Sequence, residues 1–260
     1  MARPRGGRKP RRRGCRRARV RGLVGRRGFR GSGAQAAHSA REAGIAVLVI
    51  KTDQEKFDRG DIERCAEALR GGAIGVIPTD TVYGIAALAS DAGAVERVMR
   101  IKERAPDKPL PVQVASVRDA NLLGVADGPA AVALIERFWP GPLTLVMERR
   151  PVVELPCQPG GTIGIRIPAS PFCLALIKEA GYLVAPSANP RGAPAPQAAD
   201  GLAQEIRDAV DFVVDAGSCP GGVESTVVDI SAGVEVLREG AIPSDAINKA
   251  LEDALGERGR

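Results

Sequence analysis

The stretch Thr79-Asp80-Thr81-Val82-Tyr83-Gly84 sets the strongest limit on what this chain can become. Ahead of it, Ala73-Ile74-Gly75-Val76-Ile77 is a short apolar run opened by the Gly71-Gly72 breaker, which reads as a buried strand. Such a strand, giving way to three small hydrogen-bonding side chains, has a polar loop at its carboxyl end. In open α/β sheets that edge is where ligands bind. Polar groups at an element edge return at Lys102-Glu103-Arg104, Thr162 to Pro168, Ser187-Ala188-Asn189, Glu224-Ser225-Thr226 and Leu237-Arg238-Glu239-Gly240.

Between these edges the pattern alternates helix and strand. Ile62, Cys65, Ala66 and Leu69 fall at helical spacing and Gly71-Gly72 ends that helix. Ser90 is placed to cap a helix carrying Val95, Val98 and Met99. Leu110 to Val114 reads as a strand, and Pro129 opens a helix with Val132, Ile135 and Phe138 inward. Leu143 to Met147, Thr162 to Ile167, Tyr182 to Ala185 and Val213-Val214 are further strands, with a helix from Ser170-Pro171 to Gly181. Thr226 to Ile230 and Val234 to Leu237 flank a three-residue turn and so pair as an antiparallel hairpin. The expected fold is one α/β domain over 57–241, a twisted mixed parallel/antiparallel sheet flanked by helices with a ligand cleft at the strand ends. Residues 242–260 form a C-terminal helix and end.

The charge is unevenly spread. Residues 1–41 hold 15 of the 37 basic residues and none of the 31 acidic ones, so the remainder carries 22 basic against 31 acidic groups, a net −9. An Arg/Gly-rich segment with so little to bury is expected to be disordered. It reads as a nucleic-acid arm, an organelle-targeting peptide, or an extension without a role. The one histidine, His38, lies in that tail, which excludes Ser-His-Asp, Cys-His and His-metal chemistry from the domain. Five cysteines show no metal or redox spacing and point to a reducing compartment, taken as the cytoplasm. No apolar run approaches the roughly 20 residues of a membrane span.

Lys102, Arg104 and Lys108, with Pro106 and Pro109, form a stiff positive loop after a helix. Such cations suit phosphate, Arg bidentately and Lys as a point charge, or simply a helix C-terminus. Thr81 has the chemistry of a cap or turn as well as of a ligand. Arg166 is the sole charge in Thr-Ile-Gly-Ile-Arg-Ile-Pro. Buried between isoleucines, it needs an anionic partner, either a structural carboxylate or that of a substrate.

Taken in order, these motifs resemble the YrdC-like threonylcarbamoyl-AMP synthases over roughly residues 57–241. The resemblance implies that Arg104 and Lys108 contact ATP and that Lys102 stabilises phosphate, with Lys102 and Arg104 catalytic. Thr162, Ser187, Asn189 and Arg238 correspond to nucleotide-contacting positions, and Thr81, Gln113, Arg166 and Ser225 to threonine-binding ones. Lys108 stands where many relatives have Asn and Gln113 where His is common. Arg191 and Ala195 stand in place of serines. Longer relatives carry an additional C-terminal domain, and this chain is expected to be of the short form.

The implied reaction joins L-threonine, bicarbonate and ATP into threonylcarbamoyl-AMP and pyrophosphate. It needs no protein nucleophile, and Mg2+ arrives with ATP. The product would feed a separate transferase that modifies an adenosine beside the tRNA anticodon. Two other readings stay open: an RNA-binding YrdC-like protein whose tail grips RNA or tRNA, and a paralogue adenylating another carbamoyl substrate.

Overall fold

The alternating pattern resolves into eleven strands and seven α-helices over residues 47–105 and 107–256, the residues that the computed structural model describes. The arginine-rich segment 1–41 and Pro106 lie outside them. Strand β1 (Leu48–Lys51) stands ahead of residue 57, where the sequence pattern began the domain. Helix α1 (Arg59–Arg70) starts at Asp58, whose carboxylate accepts the Gly60 N–H. It buries Ile62, Cys65, Ala66 and Leu69, the stripe read from sequence.

β2 (Gly75–Ile77) and β3 (Gly84–Leu88) pair antiparallel, so the polar stretch from Thr79 is the turn of a hairpin. Sequence periodicity missed β3, because Ile85-Ala86-Ala87-Leu88 is fully apolar and rich in helix formers. The cap of α2 (Ala92–Ile101) is Asp91 and not Ser90: its carboxylate accepts the Ala94 N–H at 3.0 Å. β4 is only Val112–Gln113, shorter than expected, and α3 (Val117–Leu123) with β5 (Gly124–Val125) follows it.

In α4 (Pro129–Phe138) the inward stripe is Ala131, Leu134, Ile135 and Phe138, at i, i+3, i+4 and i+7. Val132 is one residue off that stripe, about 100° around the helix. It stands 43% exposed, which corrects its inward assignment.

The chain continues through β6 (Leu143–Arg149), β7 (Thr162–Arg166), α5 (Pro171–Ala180), β8 (Leu183–Val184), α6 (Gln204–Ala209) and β9 (Phe212–Asp215). β10 (Thr226–Asp229), β11 (Glu235–Arg238) and α7 (Ser244–Gly256) complete it. The Ser170 hydroxyl caps α5 by accepting the Cys173 N–H, and Gly181 ends the helix at φ 111°.

The sheet order is β1-β9-β2-β3-β8-β4-β7-β6-β10-β11, with β5 beside β6. Pairs β1/β9, β2/β9, β4/β7 and β6/β10 are parallel and the others antiparallel, including the expected β10/β11 hairpin. The sheet is mixed, as the sequence indicated.

Alternate residues point to opposite faces of the strands. Val76 and Ile85 join one core with α2, α4 and α7, whereas Ile77 and Ala86 join another with α1 and α5. Helices therefore cover both faces. The polar loops are left at the strand ends.

Candidate active site

A cavity of about 660 Å³ opens at those ends. All eleven residues selected from the sequence line it: Thr81, Lys102, Arg104, Lys108, Gln113, Thr162, Arg166, Ser187, Asn189, Ser225 and Arg238.

The hairpin turn is held by Thr79, whose hydroxyl donates to the Val82 carbonyl at 2.7 Å and accepts the Thr81 N–H at 3.1 Å. The backbone role considered for Thr81 thus belongs to Thr79. The Thr81 hydroxyl is left to meet Arg166. Across the sheet, Arg166 donates Nη2–H to Asp80 at 2.6 Å, Nη1–H to Thr81 Oγ1 at 3.0 Å and Nε–H to the Gly141 carbonyl at 3.0 Å.

Asp80 and Arg166 are both nearly fully buried, so the guanidinium has its structural carboxylate. It also has five N–H groups, and three contacts leave two for a ligand. Both partners considered for Arg166 are therefore compatible at once. Gln113 pairs with Arg166 in the β4/β7 register; its Oε1 is buried and without a hydrogen-bond partner. An orphaned buried acceptor costs on the order of 1–3 kcal/mol unless a ligand donor meets it. Ser225 shares a 2.9 Å hydrogen bond with Thr144, the one polar residue of the run Leu143 to Met147 within β6.

The cationic wall depends on how α2 ends. Glu103 sits at φ 45°, the Arg104 N–H reaches the Met99 carbonyl, and the Glu103 N–H reaches that of Arg100. This pair of bonds is a Schellman motif, with glutamate where glycine is usual. It turns Lys102 and Arg104 into the cavity. Lys102 Nζ donates to the Ser187 carbonyl at 2.8 Å, the Asn189 carbonyl at 2.6 Å and Asn189 Oδ1 at 2.9 Å. Burial lowers its pKa, Glu224 offsets part of this, and Arg104 lowers it further. Arg104 donates to the Lys108 and Pro109 carbonyls, and burial, then the charge of Arg238, lowers its pKa as well.

Arg238 pairs with Glu224 at 3.0 Å and donates to the Ser225 carbonyl. Sequence reading missed Asp80, Thr144, Glu224 and Arg191 as parts of the site. Asp80 stood inside the polar stretch that drew attention, and Thr144 broke an apolar run, so both left a signal.

The cavity has one set of donors suited to a carboxylate and another suited to phosphate. The Sua5/YciO/YrdC family, described as telomere recombination, matches residues 67–240. The chain is 36% identical over 208 residues to the threonylcarbamoyl-AMP synthase of Pyrococcus abyssi, covering 79% of this chain and 61% of that protein. For the Bacillus subtilis synthase the identity is 37% over 211 residues, with 78% and 60% covered. The chain thus spans about three-fifths of the length of these two curated relatives.

Among solved structures it is similar to Pyrococcus abyssi Sua5 complexed with L-threonine, at TM-score 0.73 and 34% identity, covering 78% of this chain and 61% of that one. Escherichia coli YciO shares the fold at TM-score 0.67 and 24% identity, with 77% and 98% covered. On the match across 67–240 and the fold it shares with these structures, the chain belongs to the Sua5/YciO/YrdC family.

Proposed function

We propose that this chain is a nucleotidyltransferase that makes L-threonylcarbamoyl-AMP and pyrophosphate from L-threonine, bicarbonate and ATP. One observation carries the reading. A single cavity joins a buried guanidinium with two unspent N–H groups to a wall of cations. Threonine's carboxylate lies on Arg166, beside the Thr81 and Ser225 hydroxyls, and Gln113 Oε1 accepts a hydrogen bond from the amino acid. The amine attacks bicarbonate carbon, water leaves, and a carbamate forms. A carbamate oxygen then attacks the α-phosphorus of ATP and pyrophosphate departs.

No protein group becomes covalently attached, so the work of the site is positioning and charge neutralisation. Arg104, Lys108 and Arg238 face the phosphates. Lys102 keeps the Ser187–Asn189 loop beneath the nucleotide. Mg2+ enters as part of the ATP substrate, with phosphate oxygens and water as its main ligands.

Four described cysteines are buried and unpaired, which fits a reducing compartment such as the cytoplasm. Among the described residues no helix is long and apolar enough to cross a membrane. The product would pass to a separate transferase acting on tRNA. ATP turnover with threonine and bicarbonate omitted in turn tests the reading: pyrophosphate release should need both. Release that ignores threonine would instead indicate adenylation of another carbamoyl substrate.

A further inference from the structure

Six cations line the cavity, and they differ in how many donors they still have. An ammonium has three N–H groups, and Lys102 spends all three on the Ser187–Asn189 loop. Drawing it to a phosphate would strand a carbonyl or the Asn189 side chain. Arg238 is held by Glu224 and Ser225, Arg166 by Asp80, Thr81 and Gly141, and Arg104 by two carbonyls. Among the described residues, only Lys108 and Arg191 of the six have side chains in no hydrogen bond or ion pair.

Arg191 is also the better placed of the two. The Ala193 N–H bonds the Pro190 carbonyl at 3.1 Å, and Gly192 takes φ 81°, which makes Pro190-Arg191-Gly192-Ala193 a type II turn with Arg191 at its second position. Asn189 fastens that turn from below through a 2.5 Å hydrogen bond from Nδ2 to the Ala193 carbonyl, and Lys102 in turn fastens Asn189. The backbone under Arg191 is fixed while its guanidinium stands exposed at the cavity rim. It gains a phosphate without breaking any contact in the fold. Its planar fork also suits two phosphate oxygens at once.

We propose that Arg191 is a ligand of the nucleotide's phosphate chain, retained on the pyrophosphate leaving group, and that Lys102 is a positioning residue that braces the turn carrying it. This rests on the adenylating reading of the cavity.

The test is calorimetric titration of the full chain with inorganic pyrophosphate, and separately with L-threonine, for wild type, Arg191→Ala and Arg191→Lys. Circular dichroism confirms that each variant is folded. Arg191→Ala should bind pyrophosphate about tenfold more weakly, the scale of one charge-assisted hydrogen bond. Arg191→Lys should recover only part of this, and the threonine titration should not move. Folded Arg191→Ala that binds pyrophosphate as wild type does would overturn the inference. So would equal weakening for threonine, which would mean a general disturbance of the cavity. A wild type that binds pyrophosphate, and that forms it from ATP only when threonine is present, keeps the adenylating reading whatever Arg191 does. A wild type that binds no pyrophosphate overturns both.

Discussion

Arg166 and Asp80 are buried together, so removing one has a structural cost besides a functional one. Breaking such a pair strands a charge and costs about 3–5 kcal/mol. Arg166→Ala should therefore lower the urea midpoint as well as abolish threonine binding. Arg166→Lys keeps the charge but loses the fork, so the KM for threonine should rise steeply with that for ATP nearly unchanged. Equal kinetics for Arg166→Lys and wild type would remove the residue from the carboxylate site.

Arg104 lies on a loop and supports little of the core. Arg104→Ala should cost about 2–4 kcal/mol in kcat/KM for ATP and leave the folded state intact. Steady-state rates and a melting curve check both halves. Part of the cavity lining was legible at this scale because it breaks a local pattern: Arg166 among isoleucines, three small polar residues after an apolar strand. Gln113, Thr162, Ser187, Asn189, Ser225 and Arg238 break none and stood out only as members of the ordered set. The donor accounting was not legible. Nothing in the sequence says that Lys102 spends its ammonium on the Ser187 and Asn189 loop while Arg191 keeps its guanidinium free.

The end of α2 shows how an element serves the site at its own expense. A non-glycine residue in the left-handed region costs roughly 1–2 kcal/mol, and Glu103 carries that strain within the turn that aims Lys102 and Arg104. Glu103→Gly should raise stability by about 1 kcal/mol, net of the added freedom of the unfolded chain. The kcat/KM for ATP should stay within a few-fold, because the Schellman bonds use backbone groups. A lower melting temperature would show that the Glu103 side chain, not the backbone, governs the turn.

Long elements with strong periodicity were legible, α5 with both its ends and α1 with its buried stripe and its Gly71-Gly72 stop but not its Asp58 cap. The short strands β3, β4, β5 and β8 were missed or misjudged in length, since two to five residues hold too few turns of either period to distinguish them. Ser90 and Asp91 both have capping chemistry, and only the backbone register decides between them.

On the scale of the whole molecule, burial pushes the thiols of Cys157 and Cys219 from 9.0 up to about 11, and those of Cys65 and Cys173 to about 12. A folded-state pKa above the unfolded one contributes stability that is complete below the unfolded value and lost as pH rises through the folded one. The protein should therefore lose stability between pH 9 and about 12, and its native thiols should resist alkylation near neutral pH. Urea titrations across that range check the first expectation, and iodoacetamide labelling of the native protein the second.

A chain starting near Ala43 keeps β1 and every assigned site residue, so its turnover should match the full chain. If the 15 basic residues of the tail grip RNA, that truncation should lose tRNA affinity whose log–log salt slope is about −0.7 per single-strand phosphate neutralised.

The place of β1 in the sheet has a consequence for biogenesis. Among the described residues Leu48–Lys51 pairs only with Phe212–Asp215, so the first described strand to emerge from the ribosome waits for nearly the whole domain. At roughly 5–20 residues per second that wait is on the order of ten seconds, during which Leu48, Val49 and Ile50 have no partner strand. Nascent chains of this protein should be clients for a chaperone at their amino-terminal end until Asp215 has been synthesised.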